Sequence, residues 1–330
     1  MDMNHTVTAK DVAKLAGVSQ SSVSRVYFEG AKVSEKTRLK VLAAAKQLGY
    51  RPNEFARSLI TNRTRIIGLV MKGVDNPFYP QVLTRFTAAF KALGFSVLFV
   101  HTNNEELEAE DIEILLNYNV AGVIITDATM SLNVANEFKE NKIPLVFFNR
   151  KLQTDDFYSV SCNNLDAGRK VAMYLLEKGV IDMVYISGNE DTSTSRERQR
   201  GFFEVLESRQ IPYTKYASNY TYEGGYQTAL KAIQSGHVPA AFFVANDIMA
   251  LGTVDALKQQ GVKIPEETKV IGFDDIEMAD WPSYQLTTWR QPVEKMIHFT
   301  TSYLMDEIAA YTGKSGKVEV NGALIERLTT

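Results

Sequence analysis

The sequence predicts an all-α head of three short helices followed by an α/β body of two doubly wound lobes. Three observations carry this. The 330 residues suffice for two or three domains. Their charge is divided: residues 1–65 hold twelve Lys/Arg against five Asp/Glu, net +7, whereas the rest hold 24 against 34, net −10. Finally, short capped helical patterns fill the first fifty residues, and strand-like runs alternate with helical ones from residue 66 onward.

Composition removes several function classes. Hydrophobic residues at 45% and charged residues at 23% are globular averages, so collagen-like and disordered chains are excluded. No apolar run reaches 18 residues, and the N-terminus lacks the basic and apolar regions of a secretory signal. A soluble, cytoplasmic protein without membrane partners is therefore expected. Cys162 stands alone, and His5, His101, His237 and His298 lack metal-ligand spacing, so neither disulfides nor a metal are expected. No phosphate-binding glycine pattern occurs, and no cofactor is expected.

In the head, Thr8 can cap a helix with Asp11 as its third residue, Val12, Leu15 and Ala16 on one face and Gly17 as its stop. Ser19 can cap a second helix that turns Val23 and Val26 inward and Gln20, Ser21 and Arg25 outward. A third begins at Ser34, with Val41, Ala45 and Leu48 as its apolar stripe and Gly49 at its end. Two helices joined by a tight turn, the second bearing small polar residues and an Arg, fit the major groove as a helix-turn-helix. Arg25 can fork onto guanine and Gln20 onto adenine, while Ser19, Ser21 and Ser22 permit close approach. A basic head on an acidic body suits a polyanion partner. By pattern and charge alone, a plain three-helix bundle with a solvated basic surface competes with this reading.

Between head and body, Pro52 restricts Arg51, and Asn53 can cap a segment of about six residues ending at Leu59. So short a helix needs something to dock against, which suits an order-disorder switch. From the residues alone, Leu59 reads as a hydrophobic linker side chain packed on the body.

In the body, 66–71, 95–101, 121–126 and 144–148 read as buried strands, and 182–187, 240–244 and 270–273 as a second series. Two such series imply two lobes of parallel strands, with the ligand site outside their carboxyl ends and between the lobes. At those ends stand Asp75-Asn76, Thr126-Asp127, Asn149-Arg150, residues 189–198, Asn246-Asp247 and Asp274-Asp275. Carboxylate, amide and guanidinium groups in one cleft suit a polyhydroxylated ligand, with Phe78, Tyr79, Tyr220, Trp281 and Trp289 as candidate aromatic walls. Asp274 and Asp275 could suggest an acid/base pair. Adjacent strand-end residues point apart, however, and no positioned nucleophile accompanies them, so no catalytic residue is assigned.

Residues 8–59, with TAKDVAKLAGVSQSSVSRV and VSEKTRLKVLAAAKQLGYRPNEFARSL, resemble the DNA-binding head of the lactose repressor/galactose repressor (LacI/GalR) family. NPFY at 76–79, TSRERQRGF at 194–202, VANDIMALG at 244–252, VIGFDDI at 270–276 and LIERL at 324–328 resemble its body motifs, so the likeness spans nearly the whole chain. The chain departs from the family at Tyr27-Phe28-Glu29, where an Asn is usual.

The resemblance implies a periplasmic-binding-protein-like body and a hinge helix that forms on operator DNA, with Leu59 wedged into the minor groove. It implies DNA contacts from Thr8, Ser19, Gln20, Ser21, Ser22, Arg25, Asn53, Ala56, Arg57 and Leu59. For the effector it implies Arg198 and Asp274 as principal polar contacts, Asn246 and Asn149 assisting and Tyr220 stacking, with Phe78, Thr126, Arg150 and Thr194 completing the set.

The expected organisation is a head over 1–51, a hinge and linker over 52–65, and a body over 66–330 with lobes at 66–162 and 163–288 and a C-terminal segment crossing between them. The expected function is that of a homodimeric repressor on a palindromic operator, controlled by a small sugar-like effector. A solute-binding protein or a sugar-active enzyme on the same body fold is the alternative.

Overall fold

The computed structural model describes residues 7–27, 31–51 and 64–330, apart from 74, 103–106, 108, 129, 153, 191 and 235. The chain folds as two units, residues 1–64 and 65–330.

The first unit contains α1 (Ala9–Ala16), α2 (Gln20–Val26) and α3 (Glu35–Leu48). Asp11 reaches back to the backbone and hydroxyl of Thr8 at 2.9 and 2.7 Å, and Ser19 Oγ accepts from the backbone N–H of Ser22 at 3.2 Å. Each bond satisfies groups that a helix start would otherwise leave open. Gly17 and Gly49 end α1 and α3 at φ 65° and 66°. The core gathers Val12, Ala13, Ala16, Val23, Val26, Val41, Ala44 and Ala45. Leu15, expected on the inner face, is exposed instead. At 100° per residue the centre of the buried arc lies between Ala13 and Ala16, and Leu15 falls off its edge. At the departure from the family pattern, Tyr27 sets its ring 6.2 Å from that of Tyr50 beside this core, while Phe28 and Glu29 lie outside the described residues.

The second unit begins with β1 (Ile66–Met71), α4 (Phe78–Ala92), β2 (Ser96–His101), α5 (Ala109–Asn117), β3 (Gly122–Thr126), α6 (Leu132–Glu140), β4 (Leu145–Phe148) and β5 (Tyr158–Cys162). It continues with α7 (Asn164–Glu177), β6 (Met183–Ser187), α8 (Ser193–Ser208), β7 (Tyr213–Ala217), α9 (Tyr222–Ile233), β8 (Ala241–Val244), α10 (Asp247–Gln259), β9 (Lys269–Asp274) and β10 (Thr287–Arg290). α11 (Val293–Ala309), β11 (Gly316–Val320) and β12 (Ala323–Ile325) complete it.

The strands form two six-stranded sheets, ordered β11-β5-β4-β3-β1-β2 and β12-β10-β9-β8-β6-β7. Pairing is parallel throughout, except that β12 runs antiparallel to β10. Strands such as IIGLVM, GVIIT and AFFV are buried on both faces, as a parallel sheet between helices requires. The chain passes between the sheets three times, after β5, β10 and β11. β11 thereby joins the first lobe, while β12 and Thr329 return to the second. Thr329 Oγ1 donates to Val270 O at 2.7 Å and accepts from Thr287 N at 2.8 Å. The carboxyl ends of both sheets face one cleft.

Candidate functional site

In the head, the outward face of α2 and its approach comprise Ser19, Gln20, Ser21 and Arg25, all exposed, with Ser22 half-buried beneath them. The Ser19 hydroxyl also lies 2.9 Å from that of Ser21 and 2.8 Å from that of Ser22, so the turn into α2 is held by its own serines. Thr8 and Lys10 are exposed at the start of α1. Asn53, Ala56, Arg57 and Leu59 lie outside the described residues.

In the body, a cavity of about 680 Å³ opens between the lobes. Eight of the nine expected effector residues line it: Phe78, Asn149, Arg150, Thr194, Arg198, Tyr220, Asn246 and Asp274. Thr126 does not. It is fully buried at the end of β3, where its hydroxyl donates to Val70 O at 3.4 Å, and the next residue, Asp127, reaches the cavity in its place. Of the candidate aromatic walls, Phe78, Tyr79 and Tyr220 line the cavity. Trp289 is buried away from it, and Trp281 is 47% exposed on the outer surface.

On the first lobe, Arg150 binds Asp127 Oδ1 at 2.5 Å, and Asp127 Oδ2 accepts from Gly73 N at 3.1 Å. Arg150 also reaches across to Thr194 Oγ1 on α8 at 3.0 Å. The neighbouring Lys151 donates through its backbone to Ser193 Oγ at 3.1 Å and through Nζ to Glu197 at 2.7 Å, with Glu319 of β11 as a further partner. The lobes are thus clasped by the protein's own side chains at one edge of the cleft. Asn149 Oδ1 is buried with no hydrogen-bond partner. A buried acceptor left so costs free energy that a ligand donor would recover.

On the second lobe, Arg198 is buried with its guanidinium 3.3 Å from the centre of the Phe273 ring. Nε and Nη2 donate to Asn164 Oδ1 at 3.2 and 2.8 Å, and Nη1 donates to Ala245 O. Asp274, the last residue of β9, accepts from Gln291 Nε2 at 2.6 Å and from the Asn76 side chain across the cleft. Burial raises its carboxyl to about 6, against the opposing pull of Arg198, Gln291 and Asn76. Asp247, behind it at the start of α10, accepts from Thr288 Oγ1 at 2.6 Å and Ile276 N at 2.9 Å. Burial, reinforced by the charge of Asp274, raises Asp247 to about 7.

Asp275 turns away from the cavity toward Arg290 and Arg327, the latter at 2.7 Å. Asn246 caps α10, its Oδ1 accepting from Met249 N at 3.1 Å.

Asp127, Asn149, Tyr220 and Asp274 all hold positive φ, at 51°, 57°, 63° and 125°. Such backbone costs about 1 to 3 kcal/mol per residue and gathers where side chains must be aimed. The Tyr220 ring lies directly over Gly188, where an added Cβ would fall 1.9 Å from the ring. Only glycine admits that stack.

Lys72, Ser218 and Asn219 on the cavity wall, and Asn164 and Gln291 behind it, were not among the residues expected from sequence. Ser218 and Asn219 follow β7, an edge strand without an apolar run to mark it. Among the described residues, no cluster of His, Cys, Asp and Glu could hold a metal, and no helix is long and apolar enough to cross a membrane.

Comparison with known proteins accounts for both units. The family of bacterial regulatory proteins, lacI family, matches residues 8–53, and the periplasmic binding protein domain matches residues 67–279. The HTH-type transcriptional repressor PurR of Yersinia pestis (strain Pestoides F) is 30% identical over 326 residues, 97% of this chain and 96% of that protein. The structure of the Lac repressor dimer bound to operator and the anti-inducer ONPF is 27% identical, with a TM-score of 0.88 and 98% of each chain covered. That of the transcriptional regulator CelR in complex with cellobiose is 26% identical, with a TM-score of 0.73, covering 98% of this chain and 100% of that one. With the head, the two-lobed body and nearly the full length matched, the chain belongs to the lacI family of bacterial regulatory proteins and is a DNA-binding transcriptional repressor governed by a small-molecule effector.

Proposed function

We propose that the chain acts in the cytoplasm as a homodimer, reads a roughly palindromic operator through α2 and the hinge, and binds a sugar-like effector between its lobes. The observation that carries the effector reading is the cleft itself: Asp274, Arg198, Asn246 and the unpartnered acceptor of Asn149 converge on one cavity beside the Tyr220 ring. Carboxylate, amide and guanidinium groups around an aromatic face match vicinal hydroxyls and the C–H surface between them. The CelR structure, solved with cellobiose, supports the same ligand chemistry.

Dimerisation is supported by a surface of the second lobe where the hydroxyls of Tyr222 and Tyr284 both donate to Asp255, at 2.7 and 2.9 Å, with Tyr226 beside Tyr222 and the exposed Trp281 following β9. Aromatic residues with a polar tip are typical of interface cores. We read the cleft as a binding site and not a catalytic one, since Asp275 is committed to Arg290 and Arg327 and forms no acid/base pair with Asp274.

Footprinting of the full chain on inverted-repeat DNA, with a sugar panel added, tests the proposal. Two protected half-sites, steep loss of affinity with salt and a sugar-dependent change in occupancy are expected. Protection of a single half-site would remove the dimer, and occupancy indifferent to every sugar would remove the effector class.

A further inference from the structure

We propose that the cleft selects an uncharged polyhydroxylated effector and excludes the phosphate ester of the same sugar. The inference rests on the reading of this cavity as the effector site and narrows its ligand class.

A phosphate dianion needs several uncommitted N–H donors, and both arginines of this cavity are already engaged by the protein. Arg198 directs three of its five N–H groups at Asn164 Oδ1 and Ala245 O and lays its face on Phe273. Arg150 is bound to Asp127, Thr194 and the carbonyl of Asn149. The start of α8, the long helix that opens onto the cavity, is occupied too: Thr192 Oγ1 accepts from Ser195 N at 3.3 Å, and Glu190 stands just before it. The helix start that would draw an anion elsewhere is here capped by the protein's own hydroxyl.

The remaining lining points the same way. Asp75, Asp127, Glu190 and Asp274 line the cavity with carboxylates, Asp127 bound by Arg150 and Glu190 by Lys215, and Asn149 Oδ1 and Ser218 Oγ are buried there without partners. Acceptors in this arrangement take hydroxyl protons and repel a phosphoryl group. An uncharged polyol satisfies the unpartnered oxygens. Its phosphate ester would bring two negative charges to a lining of four carboxylates against Lys72, Arg150 and Arg198, with both arginines already committed to protein acceptors.

Calorimetry and thermal unfolding of the full chain against matched pairs decide the question: glucose and glucose 6-phosphate, fructose and fructose 6-phosphate, cellobiose and its phosphate ester, with inorganic phosphate alone. In the pair that binds, the parent sugar should raise the melting temperature and its ester should bind at least about tenfold more weakly. An ester that binds as tightly as its parent, or inorganic phosphate that displaces the sugar, overturns the inference while leaving the sugar-like reading intact. If no member of any pair shifts the melting temperature, the sugar-like reading falls and takes this one with it. The double variant Asp75→Asn/Glu190→Gln should narrow the parent-to-ester ratio; an unchanged ratio would show that these carboxylates do not set the exclusion and would overturn the argument.

Discussion

Gln291 donates to Asp274 at 2.6 Å from the segment on which the chain passes from the second lobe back to the first. Asn164 Oδ1, at the start of α7 just after the opposite crossing, accepts from Arg198 Nη2 at 2.8 Å. Both principal polar groups of the cleft are therefore braced by crossover residues, and a ligand that pulls on either acts directly on the segments that join the lobes. By linkage, effector and operator affinities then shift each other by the same factor.

The first prediction follows from that arrangement. Asp274→Ala removes the cleft acceptor and leaves Gln291 without its partner, while head and hinge are untouched. Effector-dependent change in operator affinity should vanish, and operator binding by the unliganded protein should stay within about 0.5 kcal/mol of the parent. Titration calorimetry together with an effector-free operator assay checks this. Loss of both activities would mark Asp274 as a folding residue, and unchanged effector affinity would remove it from the site.

A second prediction concerns pH. Asp247 and Asp274 are raised to about 7 and about 6, so the folded body holds protons that the unfolded chain has released above about pH 4. A carboxyl raised on folding contributes stability that is present at acid pH and lost as pH climbs through the folded value. Without effector, the melting temperature of the body should therefore fall between about pH 4 and pH 7, and Asp274→Asn should flatten the slope. Effector binding, which uses the ionised carboxylate as acceptor, should tighten as pH rises through 6. A parent protein whose stability rises over this window would contradict the assignment.

The third prediction is steric. Gly188→Ala places a methyl within the Tyr220 ring, so the ring must leave its present position. Folding should survive, because Tyr220 is half-buried at the cavity wall, but effector affinity should drop by about 1 to 2 kcal/mol with the stacking surface displaced. Circular dichroism and calorimetry separate the two effects; undiminished affinity would mean that Tyr220 does not stack on the ligand.

These expectations show what the sequence made legible. Strands such as β1, β3 and β8 declared themselves by continuous apolar runs, since both of their faces are covered. β5, β7 and β10, reading YSVSC, YTKYA and TTWR, did not. β7 is an edge strand, and the fully buried Thr287 and Thr288 of β10 satisfy their hydroxyls within the fold, so neither needs an apolar pattern. Strand-end polar residues were legible because parallel sheets place ligand sites there. The positive φ of Asp127, Asn149 and Asp274 was not, since a strained conformation is imposed by surrounding bonds and leaves no local signature. Gln291 and Asn164 were hidden for a similar reason: each meets its partner only once the chain has crossed between lobes.

A fourth prediction separates base reading from phosphate contact in the head. Arg25 is exposed on the outer face of α2, and Lys10 is exposed on α1, outside that helix. Arg25→Ala should cost about 1 to 3 kcal/mol on the operator and relax preference at one position. Lys10→Ala should weaken operator and random DNA alike and lower the salt slope by about one. Equal loss on both DNAs for Arg25→Ala would rule out its role in base reading.

The last prediction concerns Leu59, which lies with Asn53, Ala56 and Arg57 outside the described residues. If the segment ending at Leu59 forms a helix, its six or so residues fall below the length that stands alone in water, and its order would come from a docking surface. If that surface is the minor groove, Leu59 is the apolar side chain placed to part a base step, and the energy of its burial goes into bending the DNA. Truncation removes most of that burial, about 1.5 to 3 kcal/mol for a leucine, which corresponds to roughly a tenfold to hundredfold loss in operator affinity. Leu59→Ala should therefore reduce both affinity and bend angle, while effector binding by the body persists. Lys10→Ala is the control, because it weakens affinity through phosphate contact and should leave the bend unchanged. Gel mobility of circularly permuted operator fragments measures the bend independently of affinity. If both variants bend the operator as the parent does, Leu59 packs on protein and the wedge is elsewhere.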